Sequence, residues 1–216
     1  MKKINFLTSD GVKIVGNWFP VENVKKYAVL LHMRPATKES WDEFAKKLVE
    51  AEISALAIDL RGHGESIKQN GVKIDYKNFP DGSHADCKKD VDATINRLRE
   101  AGASDEDIVL IGGSIGANLA IDGMSRYSKI KKGVALSPGI EFLGISTEDA
   151  VKNLSIKQKL FMVASADDTY SYDSVKKLHG LNPDSTEIEL YDTTGHATKM
   201  FASEPELMEK LINWLK

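Results

Sequence analysis

The sequence predicts an α/β fold with a doubly wound, mostly parallel sheet of about eight strands. Two observations support this fold class. Short, continuously apolar runs such as 27–33 and 53–58 are typical of strands that are buried on both faces of a sheet. These runs alternate along the chain with segments that have the apolar spacing of helices, as in 40–51. Alternation of this kind indicates parallel strands with helices on both faces.

Length and composition limit the class of protein. The 216 residues suit a single domain, 1–216, with 42% hydrophobic and 28% charged residues, as in ordinary globular proteins. The net charge of −3 is spread along the chain, so we expect neither a nucleic-acid nor a membrane partner. The single Cys87, and the lack of a signal peptide or transmembrane span, favour a cytoplasmic location. Metal-type spacing of Cys and His is absent, and we expect no metal or other cofactor.

The individual elements follow from local patterns. Asp10-Gly11 is a strong turn signal, and it joins Ile4–Thr8 and Val12–Phe19 into an N-terminal antiparallel hairpin. Ser40 and Glu43 form a capping box at the start of the first helix. Further strands are expected at 27–33, 53–58, 108–111, 133–136, 160–164 and 186–191. Helices are expected at 40–51, 83–101, 115–126, 172–179 and 204–216. Residues 67–82 form an irregular stretch with turns at Asn70-Gly71 and Pro80-Asp81-Gly82.

A sharp strand-to-helix turn is predicted at Ser114. The apolar run before it ends in two glycines, and an apolar helical segment begins after it. Gly112 and Gly116 have no Cβ, so strand and helix can approach closely and hold Ser114 at the apex of a nucleophile elbow. A glycine-rich turn whose serine only caps the helix is the alternative.

A second cluster of polar residues supports the catalytic interpretation. In a parallel sheet, ligands bind beyond the carboxyl ends of the strands. Ser114, the pair Asp167-Asp168 and His196 all follow predicted strands and therefore share that edge. A serine hydroxyl needs an imidazole base to remove its proton and a carboxylate to orient the imidazole, and these residues supply that trio in the order Ser, Asp, His.

With these motifs the sequence resembles the α/β-hydrolase family over nearly its whole length. The matching features are Leu30-Leu31-His32, the loop from Asp59 to Ser66, the Gly112–Gly116 elbow, Asp167, and Gly195-His196. The resemblance implies that Ser114 is the nucleophile, His196 the general base and Asp167 the orienting acid. It also implies an oxyanion hole made by the backbone N–H groups of Ile115 and Arg34. Asp168 is the alternative acid, and Asp192 is better explained by turn formation.

The sequence departs from the family at two places. The family usually has glycine after the strand-end histidine, where this chain has Met33. The family often inserts a helical cap between the strands that here end at 136 and begin at 160, but residues 137–159 are too few for a large cap. We therefore expect an open site. Its wall is expected to include Met33, Tyr76, Phe79 and Pro138.

Other polar residues favour structural roles. We expect His32, His63, Asp59 and Arg61 to brace loops, and His84 and His179 to lie at helix ends. Cys87 is expected to be an ordinary, partly buried cysteine. For the Arg34 side chain, a solvated position is favoured over a role in attracting an anionic substrate.

These observations predict a serine hydrolase that cleaves small carboxylic esters or thioesters through an acyl-enzyme. The expected partner is a small-molecule substrate, and the sequence leaves the oligomeric state unknown. A peptidase or a lysophospholipase with the same triad is an alternative function. A non-catalytic module that binds a small ligand is an alternative from another class.

Overall fold

The computed structural model describes residues 1–216 and is built around one eight-stranded sheet. Its strands are β1 (Lys2–Leu7), β2 (Lys13–Phe19), β3 (Lys26–Leu31), β4 (Ile53–Ile58), β5 (Ile108–Gly113), β6 (Lys132–Leu136), β7 (Lys159–Ser165) and β8 (Thr186–Tyr191). The spatial order is β1-β2-β4-β3-β5-β6-β7-β8. Strand β2 is antiparallel to both neighbours, and all other pairs are parallel. The predicted sheet and its N-terminal hairpin are confirmed.

Seven helices cover the two faces of this sheet. They are α1 (Asp42–Glu50), α2 (Cys87–Glu100), α3 (Ile115–Arg126), α4 (Glu148–Lys152), α5 (Thr169–Leu181), α6 (Met200–Ser203) and α7 (Glu206–Leu215). Helices α1, α6 and α7 pack on one face, and α2 to α5 pack on the other. None of them has both the length and the apolarity that a membrane-spanning helix requires.

The two apolar cores explain why the central strands are continuously hydrophobic. Successive side chains of a strand point to opposite faces. In β3, Val29 and Leu31 belong to the core under α2 to α5, whereas Ala28 and Leu30 belong to the core under α1, α6 and α7. Every residue of β4 is buried, while edge strand β1 has no fully buried residue. Burial on both faces therefore removes the polar alternation that a half-exposed strand would show.

Several predicted helix ends are wrong by two to four residues. The first helix is preceded by a 3₁₀ turn, Lys38–Trp41, and α1 begins only at Asp42. The predicted capping box is absent because the Ser40 hydroxyl donates to the Thr37 carbonyl oxygen at 2.8 Å. The predicted helix 83–101 likewise begins as a 3₁₀ turn, Ser83–Asp86, before α2. Short-range hydrogen bonds of this kind compete with regular capping.

The segment between β6 and β7 contains no large cap, as predicted. It has one small hairpin, whose strands are Glu141–Phe142 and Ile145–Ser146, and the short helix α4. The side chain of Asn118 holds this segment on α3, since it donates to the Ile145 carbonyl at 2.8 Å and accepts from the Gly139 N–H at 3.0 Å. A second small hairpin, Lys68–Gln69 with Val72–Lys73, lies in the irregular stretch 67–82.

Candidate active site

Ser114 occupies a strained turn between β5 and α3. Its backbone has φ 55° and ψ −121°, a conformation that a residue with a side chain rarely adopts. Such a residue costs on the order of 1–3 kcal/mol and persists only where its surroundings impose it. Here the Ser114 N–H donates to the Leu136 carbonyl at 2.8 Å, and the Ser114 carbonyl accepts from Ala117 at 2.8 Å. The predicted strand, tight turn and helix are therefore present.

Glycines allow the elements around Ser114 to touch backbone to backbone. A Cβ on Gly112 would lie 1.9 Å from the Gly116 carbonyl oxygen, and a Cβ on Gly116 would lie 2.2 Å from the Leu31 carbonyl oxygen. A Cβ on Gly113 would lie 2.9 Å from the Cβ of Ala197, which belongs to the loop after β8. Strand β3, the elbow and the histidine loop thus converge at distances that only glycine permits.

His196 lies in that loop and is oriented by a carboxylate. Its Nδ1 is 2.6 Å from Asp168 Oδ2, and the histidine and aspartate side chains are 34% and 19% exposed. A carboxylate accepts, so Nδ1 carries the proton and Nε2 is left as the basic nitrogen. The next residue, Ala197, donates its N–H to Ser137 Oγ at 2.9 Å, which fixes the loop to the end of β6.

The expectation that Asp167 pairs with His196 is wrong. The turn after β7 sends the two adjacent carboxylates in different directions. Asp167 is exposed and accepts from the Gly195 N–H at 3.3 Å, whereas Asp168 precedes α5 and reaches His196. A hydrogen bond from Ser165, together with those from backbone N–H groups, holds the pKa of Asp167 below its usual range although desolvation opposes this. Asp192 forms no hydrogen bond with His196, and its carbonyl accepts from Asp167 N–H instead.

The two backbone N–H groups that were predicted to form an oxyanion hole have no acceptor within the chain. Ile115 is the first residue of α3, where a helix offers its N–H no acceptor. Arg34 follows β3, and its N–H donates no hydrogen bond within the chain. Met33, which replaces the family's glycine, is buried and is not among the residues with positive φ. Its backbone therefore needs none of the dihedral angles that only glycine adopts.

Buried ion pairs hold the loop that contains Arg34. Lys38 is 1% exposed, and its ammonium contacts Asp59 at 2.8 Å, while its N–H donates to the same carboxylate at 2.9 Å. Burial lowers the pKa of Lys38, but contacts with Asp59 and neighbouring glutamates outweigh it and keep the pKa above its usual range. Arg61 likewise binds Asp90 and Asp10. Asp59 and Arg61 therefore brace loops, as predicted.

The histidines near the site are structural. His32 Nδ1 donates to the Met33 carbonyl at 2.9 Å, and its Nε2 accepts from Leu60 N–H at 3.0 Å, so both nitrogens of the neutral ring are satisfied. Burial lowers the pKa of His32 to about 4. His63 donates to the Arg61 carbonyl at 3.1 Å, and its pKa is also lowered to about 4, chiefly by burial. His179 shares a hydrogen bond with Thr186 at the end of α5.

Two of the expected wall residues lie against the 59–66 loop. The Tyr76 ring stacks on the ring of His63, with centroids 3.7 Å apart and an interplanar angle of 6°. Phe79 packs edge-on against His84, 5.2 Å away, and its ring tip comes close to Gly62. Pro138 is buried directly after β6. Contact of any of these residues with a substrate remains a prediction. Cys87 is more buried than expected, with 1% of its surface exposed, and this burial raises the pKa of its thiol.

Sequence reasoning missed three positioning residues. Asn118 and Ser137 hold the loops beside Ser114, as described above. Tyr170 packs against Phe142 in the small hairpin and bonds through its hydroxyl to the backbone of Glu141. Asn118 offered a signal, because it is a polar residue one turn after Ser114 in an otherwise apolar helical run. Ser137 and Tyr170 offered none beyond their position after a strand.

Comparison with known proteins agrees with the fold and its motifs. A family model described as "Serine aminopeptidase, S33" matches residues 22–164. No curated protein gives a significant match. Among solved structures, an esterase from Pyrococcus furiosus, Pf2001, is similar with a TM-score of 0.79 and 23% identity, over 99% of this chain and 91% of that one.

Two further solved structures share the fold at lower identity. An esterase from Exiguobacterium antarcticum has a TM-score of 0.77 and 12% identity, over 99% of both chains. The α/β hydrolase GrgF from Penicillium sp. sh18 has a TM-score of 0.80 and 15% identity, over 100% of this chain and 97% of that one. Since the family match spans more than half of the sequence, the chain belongs to the α/β-hydrolase family, within the serine hydrolase superfamily.

Proposed function

We propose that this protein is a serine hydrolase that cleaves small carboxylic esters or thioesters. The observation that carries the proposal is the His196–Asp168 hydrogen bond of 2.6 Å. The next residue in the same loop, Ala197, packs against Gly113, which precedes the strained Ser114. The proposed base therefore belongs to the loop that packs against the turn of Ser114. The esterases among the similar structures favour ester chemistry over other hydrolytic reactions.

The proposed reaction proceeds through an acyl-enzyme. Ser114 Oγ attacks the carbonyl carbon while His196 Nε2 takes the hydroxyl proton, and the N–H groups of Ile115 and Arg34 stabilise the oxyanion. Collapse of this intermediate breaks the bond to the leaving oxygen or sulfur, which receives the proton from His196. Water then attacks the acyl carbonyl while His196 Nε2 takes its proton. Collapse breaks the bond to Ser114 Oγ, which regains that proton from Nε2 as the carboxylic acid leaves.

The apo geometry is compatible with this role. The Ser114 hydroxyl forms no hydrogen bond within the chain, and the residue is 9% exposed. Catalytic hydrogen bonds are often long in the absence of substrate and tighten when it binds. The imidazole of the proposed base is already oriented by Asp168.

The first test is turnover of p-nitrophenyl esters of increasing acyl length by wild type and Ser114→Ala. We expect serine-dependent turnover that falls with chain length, and a loss of at least about a thousandfold in kcat for the variant. A fluorophosphonate should label wild type alone. Ser128→Ala is the matched control, since Ser128 is exposed and its hydroxyl is unpaired. Undiminished turnover by Ser114→Ala would refute the proposal.

Peptide cleavage is a second candidate because the matching family is described as a serine aminopeptidase. The same triad hydrolyses amides when the leaving amine receives the histidine proton. Aminoacyl p-nitroanilides distinguish the two functions. Ser114-dependent release of nitroaniline at a rate comparable with ester turnover would favour the peptidase. Labelling of neither Ser114 nor any other residue, without turnover, would favour a non-catalytic binding module.

A further inference from the structure

Arg34 differs from the other arginines of the chain in having no acidic partner. The protein has five arginines, and Arg61, Arg97, Arg99 and Arg126 all form ion pairs with carboxylates. The guanidinium of Arg34 forms neither an ion pair nor a hydrogen bond, and lies 5.1 Å from the centroid of the Tyr76 ring. The Tyr76 ring therefore supports the guanidinium of Arg34, and the N–H donors of the guanidinium remain unused.

The surroundings of Arg34 add positive charge and supply no counter-ion. Lys77 Nζ lies 5.9 Å from the same Tyr76 ring and also has no ion pair. The nearby Asp75 carboxylate accepts from the Lys77 N–H and not from either cation. His63, which stacks on the same Tyr76 ring, is buried, and its pKa is lowered to about 4, so it is neutral at pH 7. An exposed arginine on a rigid aromatic support, with no neutralising carboxylate, can bind an external anion at little cost in side-chain entropy.

The buried side chain of His84 lacks a hydrogen-bond partner and is affected by the charge of Arg34. His84 is 6% exposed, and its Nε2 has no hydrogen-bond partner in the protein. Burial, and secondarily the charge of Arg34, lower the pKa of His84. His63 Nε2 is likewise buried without a partner, whereas buried polar atoms normally have one.

The position of Arg34 links this cation to the reaction. The helix after Ser114 touches the backbone before Arg34, since a Cβ on Gly116 would lie 2.8 Å from the His32 carbonyl oxygen. The Arg34 N–H is one of the two proposed oxyanion donors. Its side chain therefore begins at the oxyanion hole and ends at the Tyr76 ring, within one side-chain length of the scissile carbonyl.

We propose that the substrate carries a carboxylate close to the scissile carbonyl, and that the guanidinium of Arg34, supported by Tyr76, binds it. This inference rests on the proposed function. It replaces the expectation that the Arg34 side chain is merely solvated. The carboxylate belongs either to the acyl group, as in a half-ester of a dicarboxylic acid, or to the leaving group, and the experiment separates these two cases.

The experiment compares matched anionic and neutral esters. For the acyl side, the p-nitrophenyl monoester of adipic acid is paired with its methyl-capped diester. For the leaving-group side, 4-acetoxybenzoate is paired with methyl 4-acetoxybenzoate. We expect wild type to favour the anion in one pair by about 10- to 100-fold in kcat/KM, as for a charge-assisted hydrogen bond. The preference should shrink in 0.5 M NaCl.

Variants identify the residue responsible. Arg34→Gln should bring the anion-to-neutral ratio close to one, and Arg34→Lys should keep part of it because the charge remains without the planar stack. Lys157→Gln removes one exposed, unpaired charge and should leave the ratio as in wild type. Thermal unfolding of each variant checks that it is folded.

The outcomes are distinguishable. Ser114-dependent turnover with no anion preference in either pair, or a preference that survives in Arg34→Gln, overturns the carboxylate site and leaves the hydrolase intact. Absence of Ser114-dependent turnover and of fluorophosphonate labelling overturns the proposed function and this inference with it.

Discussion

At the residue scale, the site depends on which of two adjacent carboxylates faces the histidine. Asp167 and Asp168 are chemically identical, yet only Asp168 bonds to His196, while Asp167 accepts from the backbone of the histidine loop. The partner of Nδ1 sets the tautomer and stabilises the imidazolium that forms during catalysis. The two positions should therefore differ greatly in their effect on rate.

Asp168→Asn should lower kcat by about 10³–10⁴-fold, because an amide can hold His196 in the wrong tautomer. Asp167→Asn should lower it by less than about tenfold, since this side chain supports only the Gly195 N–H. Steady-state kinetics on one p-nitrophenyl ester compares the two variants directly. A larger loss for Asp167→Asn than for Asp168→Asn would contradict this assignment.

Burial of His63 should make stability depend on pH. Its pKa is lowered to about 4 in the fold, from an ordinary value near 6.5. Between these values the unfolded chain binds more protons than the native protein, so stability falls as pH falls from 6.5 to 4. His63→Gln should reduce the slope of unfolding free energy against pH by up to about 1.4 kcal/mol per unit.

Urea unfolding at half-unit steps of pH measures this slope. Asp90 has the opposite effect on the pH dependence of stability, because burial raises its pKa to about 6 although Arg61 lowers it. That contribution is present in both proteins and cancels in the comparison. Equal slopes for wild type and His63→Gln would show that His63 is not buried in its neutral form.

At the element scale, the elbow depends on glycines that the packing makes irreplaceable. The turn joins β5 to α3 while α3 begins against the end of β3. A Cβ added to Gly112 or Gly116 would lie 1.9 or 2.2 Å from a backbone carbonyl oxygen. Backbone atoms cannot move aside as a flexible side chain can. These contacts position Ser114 and set the direction of the first turn of α3.

Gly112→Ala should destabilise the protein by about 3 kcal/mol or more, since overpacking against backbone is among the costliest substitutions. Gly180→Ala is the matched control. Gly180 lies in α5, and a Cβ there meets nothing within 4 Å. In that helix alanine should stabilise by about 0.5–1 kcal/mol. Chemical denaturation measures both changes, and similar effects at the two positions would contradict the packing argument.

At the scale of the whole molecule, buried ion pairs tie together loops that are distant in sequence. Lys38 joins the loop after β3 to Asp59 after β4 and to Glu65. Arg61 joins that second loop to the N-terminal hairpin through Asp10 and to α2 through Asp90. Because these loops lie at the carboxyl edge of the sheet, the ion pairs hold the rim of the site in place.

Lys38→Met should cost about 3–5 kcal/mol, because the buried Asp59 is left without its counter-ion. Lys25→Met removes an exposed pair with Glu52 and should leave stability nearly unchanged, because solvent screens that pair. Urea denaturation of both variants gives the comparison. A cost for Lys38→Met as small as that for Lys25→Met would mean that the Lys38–Asp59 pair contributes no net stability.

Local patterns in the sequence were enough to predict the sheet, its hairpin and the polar residues that follow its strands. Apolar runs and their spacing report burial directly, and the glycines around Ser114 report close approach of backbone. Ends of helices were less well determined, since Ser40 bonds to Thr37 and does not cap α1. Such local competition depends on the path of the preceding loop, which periodicity does not describe.

Folding of the chain selected Asp168 over Asp167 as the partner of His196, and it left Arg34 without an acidic partner. Both outcomes depend on where side chains point after the chain has turned. The bend after β7 aims one carboxylate at His196, and Arg61 and Arg126 meet acids that the fold brings near. Residue type and order are properties of the sequence. The direction of a side chain and the residues that it contacts are set when distant segments pack. Long-range contacts then fix the side-chain rotamers that local sequence leaves free.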